Sequence, residues 1–239
     1  MPIVHPLRVI AMEQHSYFTD DVFRFLTELR QHNEREWFQR NKERYETAVR
    51  GPFISFIGDL GAPLKKINPY MIADPRPVGG SMMRIYRDIR FSHDKSPYKT
   101  SVSAHFWHSQ GEEGATPAYY LHIEPGHSMI GAGIWRPEPG ALKKIRDAIV
   151  GDSKRWQRVT SATEFRSSCG MAGESLKRPP AGYDPKHPMI QDIKRKDFAT
   201  SSPLDDHQVC GPDFMKSVLH SFRASAPFVQ FLSDAIGLA

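Results

Sequence analysis

Apolar residues recur at helical spacing through the first third of the chain. Phe18, Val22, Phe25, Leu26 and Leu29 fall on one face of a helix. Thr19 precedes that face as an N-cap, with Asp20 and Asp21 in the first turn, where the helix dipole favours negative charge. Asn33 and Glu36 have the spacing of a capping box and predict a second helix, striped by Trp37, Tyr45, Ala48 and Val49. Gly51 and Pro52 interrupt the pattern, and Pro52 suits the first turn of a third helix faced by Phe53, Phe56, Ile57 and Leu60. The period then changes. "SVSAHFWH" (101–108), "PAYYLHIE" (117–124) and "SMIGAGIW" (128–135) are β-rich runs broken by turn residues, and predict strands. Glu124, Pro125, Gly126 and His127 read as a tight hairpin connection. Gly131 and Gly133 share one strand face and leave room there for either a packed helix or a ligand.

Pro137 and Pro139 open another helix, with Leu142, Ile145 and Ile149 on one side. Four prolines make 176–190 irregular, and "KDFATSS" is a further strand candidate. Helical spacing returns with Phe214, Val218, Leu219 and Phe222, then Phe228, Phe231, Leu232 and Ile236. Helices, then antiparallel strands, then helices predict an α+β fold. The expectation is a single domain over 18–239, with a central, mainly antiparallel sheet, an N-terminal helical segment and C-terminal helices packed against it. Residues 1–17 are expected to be a poorly ordered extension. The amphipathic pattern begins only after Met12, which makes Met12 a candidate start.

Composition changes this picture little. The chain has 239 residues, 39% hydrophobic and 25% charged, which is ordinary for a globular domain. Cys169 and Cys210 form no CxxC pair, so neither a zinc ribbon nor a disulfide framework is indicated. Two lone thiols fit a reducing, cytoplasmic setting. No apolar run approaches the ~20 residues of a membrane span, and the N-terminus lacks the pattern of a secretory signal. No cofactor motif is present: there is no GxxxxGK[ST] and no GxSxG, and Cys169 has no adjacent histidine.

Charge is more informative, because it is uneven. The net charge is +5, yet residues 76–100 carry six Lys/Arg against two Asp/Glu, and residues 177–196 do the same. The remainder is therefore slightly acidic, and the basicity belongs to two patches. In "RIYRDIRFSHDKSPYKT" (84–100), Arg84, Arg87, Arg90, Lys95 and Lys99 face only Asp88 and Asp94. Alternation over 83–91 fits a strand with Met83, Ile85, Ile89 and Phe91 inward and Arg87 as the exception; a helix grouping Arg84, Arg87, Asp88 and Phe91 also fits. Guanidinium groups suit bidentate recognition of phosphate or carboxylate. Asp88 either orients an arginine or, if its pKa is raised, acts as a base; it and Tyr98 are the acid/base candidates. Lys177, Arg178, Tyr183, His187, Lys194 and Arg195 make the second patch.

The pattern R-x-x-R-D-x-R-F-x-x-D-K-x-x-Y-K, formed here by Arg84, Arg87, Asp88, Arg90, Phe91, Asp94, Lys95, Tyr98 and Lys99, resembles the signature of the bacterial family DUF2461. The likeness extends from "FLTELRQHNEREWFQRNKERYE" through "YYLHIEPG", "GIWRPEP" and "LKRPPAGYD" to "HPMIQDIKRKDF". It implies a soluble single-domain protein in which the charged stretch is a hallmark, and it supplies no activity.

Three functions compete. In the first, Arg84, Arg87, Arg90, Lys95, Lys99, Lys177 and Arg178 line a cleft for a phosphorylated or other anionic small molecule, on which Asp88 and Tyr98 act if there is chemistry. In the second, the same cations contact nucleic-acid phosphates while Trp107, Tyr119 or Trp135 stack on bases. In the third, the Arg/Asp network is structural and the protein is not catalytic. His105, His122 and Glu124 add a fourth element: they would make a two-histidine, one-carboxylate metal set if the strands placed His105 opposite His122. No membrane partner is expected.

Overall fold

The structure, a computed structural model, describes residues 16–238 apart from Phe91, Glu112 and Glu113. The expected N-terminal extension, with Met12, lies outside the described residues as far as position 15. Ser16 and Tyr17 are held to the domain: the Ser16 hydroxyl donates to the Phe18 carbonyl, and the Tyr17 hydroxyl donates to Asp59 at 2.8 Å.

The fold is α+β. Helix α1 (Asp20–Gln31) starts at Thr19 as expected and buries Val22, Phe23, Phe25, Leu26 and Leu29. Short helices α2 (Arg35–Arg40) and α3 (Lys42–Tyr45) lead through a π-helical turn (Glu46–Arg50) into α4 (Gly51–Ile67). Gly51 and Pro52 therefore do not interrupt the helix. A proline ring collides with the carbonyl four residues back, and the wider π turn just before Pro52 removes that collision; the Gly51 N–H reaches back to Glu46 instead. Asn33 does not cap α2. Glu34 occupies that position, and Asn33 is committed elsewhere.

Among the described residues five antiparallel strands follow: β1 (Val102–Phe106), β2 (Ala118–Ile123), β3 (Ser128–Ile134), β4 (Gly170–Ala172) and β5 (Phe198–Leu204). Their order across the sheet is β1-β2-β3-β5-β4. Between β3 and β4 lie α5 (Pro139–Gly151), α6 (Ser153–Ser161) and α7 (Thr163–Ser168), and α8 (Ile190–Ile193) precedes β5. Helices α6 and α7 have no counterpart in the sequence reading, because their polar run offers only Trp156 and Phe165 as buried anchors. The chain closes with α9 (Asp206–Cys210) and α10 (Phe214–Ile236).

Pleating sorts the sheet residues. Val102, Ala104, Phe106, Tyr119, Leu121, Ile123, Ile130, Ala132 and Ile134 face the helices and are buried. They divide between two apolar clusters. The larger joins β1 and β2 to α1–α4, and the smaller joins α5–α7 to the far ends of β3 and β5. Helix α10 serves both, with Phe214, Val218 and Phe222 in the first and Phe228, Phe231 and Leu232 in the second. Tyr45 is buried in the first cluster, where burial pushes its phenol up to about 12. An unfolded tyrosine ionises near 10, so this contribution is complete below that pH and is lost as pH rises from about 10 to about 12. Urea denaturation of the wild type should lose about 1.4 kcal/mol more than Tyr45→Phe between pH 9 and pH 11.

Candidate functional site

The second face of the sheet carries a different set of side chains: Ser103 and His105 from β1, Ala118, Tyr120 and His122 from β2, Met129, Gly131 and Gly133 from β3, and Ala199 and Ser201 from β5. A trough of about 720 Å³ lies over this face. That is within the usual size of small-molecule sites. Met83, Met129, Trp135 and the Gly131 backbone are among its lining, and none of the lining residues belongs to a helix.

The two glycines have separate roles. Gly131 opens the floor of the trough, since a side chain there would meet first the flexible end of Met129 at 3.1 Å. Gly133 has φ +111° and admits the close approach of the Phe198 carbonyl and the α10 ring of Phe228. Of the two sequence alternatives, the packed helix is met at Gly133, while Gly131 faces the open trough. Thr116 forms part of the trough wall, and its buried hydroxyl has no hydrogen-bond partner among the described residues. A buried hydroxyl without a partner costs about 1–3 kcal/mol, and a polar ligand atom would relieve it.

The charged stretch forms an arm along the outer edge of β1. Met82 bridges Ala104, the Met83 N–H donates to Ser103, and Tyr86 bridges Tyr98. Beyond these bridges, 83–90 is neither the strand nor the helix that its pattern allows, because its inward positions do not alternate: Ile85 is buried, Met83 is exposed and Arg87 is half-buried. Phe91, expected inward, lies outside the described residues. Asn33 clamps the arm from 65 residues away, donating to the Tyr98 carbonyl and accepting from the Tyr98 N–H, both at 3.0 Å.

The candidate residues separate into groups. Arg87 pairs with Asp94, and Arg90 pairs with Asp88 through two contacts of 2.7 and 3.0 Å. Arg90 holds the exposed Asp88 carboxyl below its ordinary value, the opposite of the raised pKa that a base requires there. Tyr98 is 2% exposed, and its ring stacks on Phe38 at 4.1 Å. Burial, and next Tyr86, raise its phenol. The Lys95 ammonium donates to the Ile89 carbonyl at 3.0 Å. Arg84 and Lys99 remain: among the described residues neither makes an ion pair. Lys99 is half-buried, and burial followed by the Arg84 charge pulls its pKa down. Arg84 follows Met83 in the chain, so its backbone is about 3.8 Å from that of a trough residue.

Lys177 and Arg178 are exposed and without ion pairs among the described residues. Their segment runs beside the start of β5, where Ser175 bridges Arg195. The first arm flanks β1 and this one flanks the β4–β5 side, so the two patches occupy opposite edges of a sheet about 19 Å wide. Strand register places His105 opposite Tyr120 rather than His122, and among the described residues no three His, Cys, Asp or Glu side chains are placed to hold a metal ion. Tyr119 is fully buried against Phe222 at 4.4 Å and so is withdrawn from base stacking, whereas Trp135 is 55% exposed.

A family model described as "Conserved hypothetical protein (DUF2461)" matches residues 21–231. The chain belongs to the DUF2461 family. The match runs from α1 to the second half of α10, so the arm, the open sheet face and most of both apolar clusters fall within the family's extent. No curated protein and no solved structure matches the chain. Among the described residues no helix is long and apolar enough to cross a membrane.

The residues that line the trough were mostly invisible as a site in the sequence. Met83, Thr116 and Tyr120 carry no motif. The available signal was the period-two spacing of Tyr120, His122 and Glu124, which places three polar side chains on one strand face.

Proposed function

We propose that this protein binds an anionic small molecule with an apolar body. The body occupies the trough over Gly131, between Met83, Met129 and Trp135. The acidic group is taken by Arg84 and Lys99, the two cations of the arm that carry no internal ion pair among the described residues. Arg87 and Arg90 serve the arm itself, through Asp94 and Asp88. Lys177 and Arg178, at the other edge, are outside this site. The observation that carries the reading is the trough: a small-molecule-sized space with an apolar floor, a buried hydroxyl in its wall and, next to Met83 in the chain, Arg84, which has no ion pair among the described residues.

An aromatic sulfonate, 8-anilinonaphthalene-1-sulfonate, has the required chemistry and reports apolar binding by its fluorescence. It should bind the wild type. Gly131→Val, which fills the floor, should abolish the signal while circular dichroism shows the protein still folded. Arg84→Ala and Lys99→Ala should each weaken binding roughly ten-fold, about 1.4 kcal/mol. Equal binding by all four proteins would reject the site. A single-stranded oligonucleotide that binds where the sulfonate does not, with affinity collapsing at high salt, would assign the same cations to nucleic acid instead.

A further inference from the structure

Tyr120 and His122 of β2, with Glu124 just past its end, form a directed hydrogen-bond chain that ends at the trough. The Tyr120 hydroxyl and His122 Nδ1 are 3.2 Å apart, and His122 Nε2 and the Glu124 carboxylate are 3.1 Å apart. Arg30 of α1 stands 3.7 Å from the other Glu124 oxygen. Glu124 is fixed further by Ser128, whose hydroxyl accepts the Glu124 N–H and donates to the Glu124 carbonyl. A carboxylate only accepts hydrogen bonds, so in the neutral imidazole the proton is on Nε2. Nδ1 is then the acceptor, and the Tyr120 hydroxyl donates to it. Donation therefore runs from Tyr120 through His122 to Glu124, outward from the trough that Tyr120 lines.

This is the arrangement of an activated hydroxyl: a group that reacts, a base in contact with it, and a carboxylate that orients the base. Burial raises the Tyr120 phenol, and the Ser103 hydroxyl opposes the rise, so the group stays protonated until something withdraws its proton. His122 is the base placed to do so.

We propose that the trough is a reaction site in which Tyr120 is the proton-transfer residue, with His122 and Glu124 as its positioning partners, acting on an organic acid that bears an exchangeable C–H or O–H. The inference rests on the binding reading above for the class of substrate. The step balances without a co-reactant. The substrate proton passes to the Tyr120 oxygen as the Tyr120 proton passes to His122 Nδ1. The imidazolium so formed is neutralised by Glu124, and the reverse transfer returns the proton to the substrate at the same or another atom. The class of reaction is isomerisation by proton abstraction and return.

Phenylmethanesulfonyl fluoride tests the activation directly on the full chain. The phenol oxygen attacks sulfur, fluoride leaves, and the phenolic proton goes to His122, leaving a sulfonate ester on Tyr120. Peptide mass spectrometry reads the ester, with Tyr86, 53% exposed, as the internal reference. Tyr120 should be labelled at least ten-fold faster than Tyr86. His122→Gln keeps an acceptor for the phenol but cannot take its proton, and should slow Tyr120 labelling at least ten-fold while Tyr86 labelling and the melting temperature stay unchanged. Glu124→Gln should slow it in the same way, and Glu124→Asp should restore part of the rate. Labelling of Tyr120 no faster than Tyr86, or unchanged in both Gln variants, would overturn the proposal. The probe is uncharged and needs neither Arg84 nor Lys99. Selective Tyr120 labelling without sulfonate binding therefore rejects the anionic ligand alone, and sulfonate binding without selective labelling rejects the relay alone.

Discussion

Gly133→Ala should be among the most destabilising single-methyl additions in this protein. At φ +111° an L residue is strained, and the added Cβ would lie 2.1 Å from the Phe198 carbonyl, 2.9 Å from the Phe228 ring and 3.1 Å from the Ala199 Cα. Two of those three neighbours are backbone of β5, which cannot turn aside. Strained backbone alone costs about 1–3 kcal/mol, and forcing two paired strands apart brings the total to about 4 kcal/mol. For a domain of this size that is a fall in melting temperature of roughly 8–16 °C. Gly131→Ala, two residues away, should cost no more than about 1 kcal/mol, because its tightest neighbour is a methionine methyl. Thermal denaturation of the two variants side by side gives the contrast. Equal melting temperatures would mean that Gly133 does not hold the positive-φ conformation against β5.

Asp197→Ala should cost about as much by a different route. Asp197 is 4% exposed at the entrance to β5. One carboxylate oxygen accepts the N–H of Arg136 and the other that of Glu174, both at 2.9 Å. Arg136, at φ +50°, holds a left-handed conformation at the exit from β3, and Glu174 follows β4. One side chain thus ties the ends of β3 and β4 to β5. Hydrogen bonds to a charged acceptor contribute about 1.5–3 kcal/mol each, so losing both should cost about 3–5 kcal/mol in a denaturant titration. Asp197→Asn keeps one acceptor and should lose roughly half as much. Amide hydrogen exchange at Arg136 and Glu174 is the local check: both should speed up in the alanine variant, and protection unchanged there would mean that Asp197 does not tie the strand ends together.

Asp197 also illustrates what the sequence could and could not say. It stands in "KRKDF", where it reads as one more charge in a basic run, yet its partners are 61 and 23 residues away. Asn33 is a similar case. Three residues before Glu36 it has the spacing of a helix cap, and the structure spends it on the Tyr98 backbone. Tyr98, between two lysines, looks like an exposed phenol and instead stacks in the core. Local patterns were read well where burial follows a period: the α1 stripe, the alternation of β1–β3 and the long apolar face of α10. The charges of the arm were legible, but their pairing was not, since ion pairing depends on rotamers and loop path rather than on spacing. The open face was out of reach for a simpler reason. Alternation shows that a strand has two faces, and only the packing of the whole chain decides which one the helices leave uncovered.

The position of α10 constrains the order in which the protein can be completed during synthesis. Both apolar clusters take a wall from this one helix, and every strand precedes it in the chain. A nascent chain that has emerged only as far as Asp213 holds the whole sheet, yet the core faces of β1, β2 and β3 lack their shared cover. Until Phe214–Ile236 leaves the ribosome, those strands present an apolar surface on one side and a hollow on the other. This is the interval in which the protein most needs protection from its own neighbours.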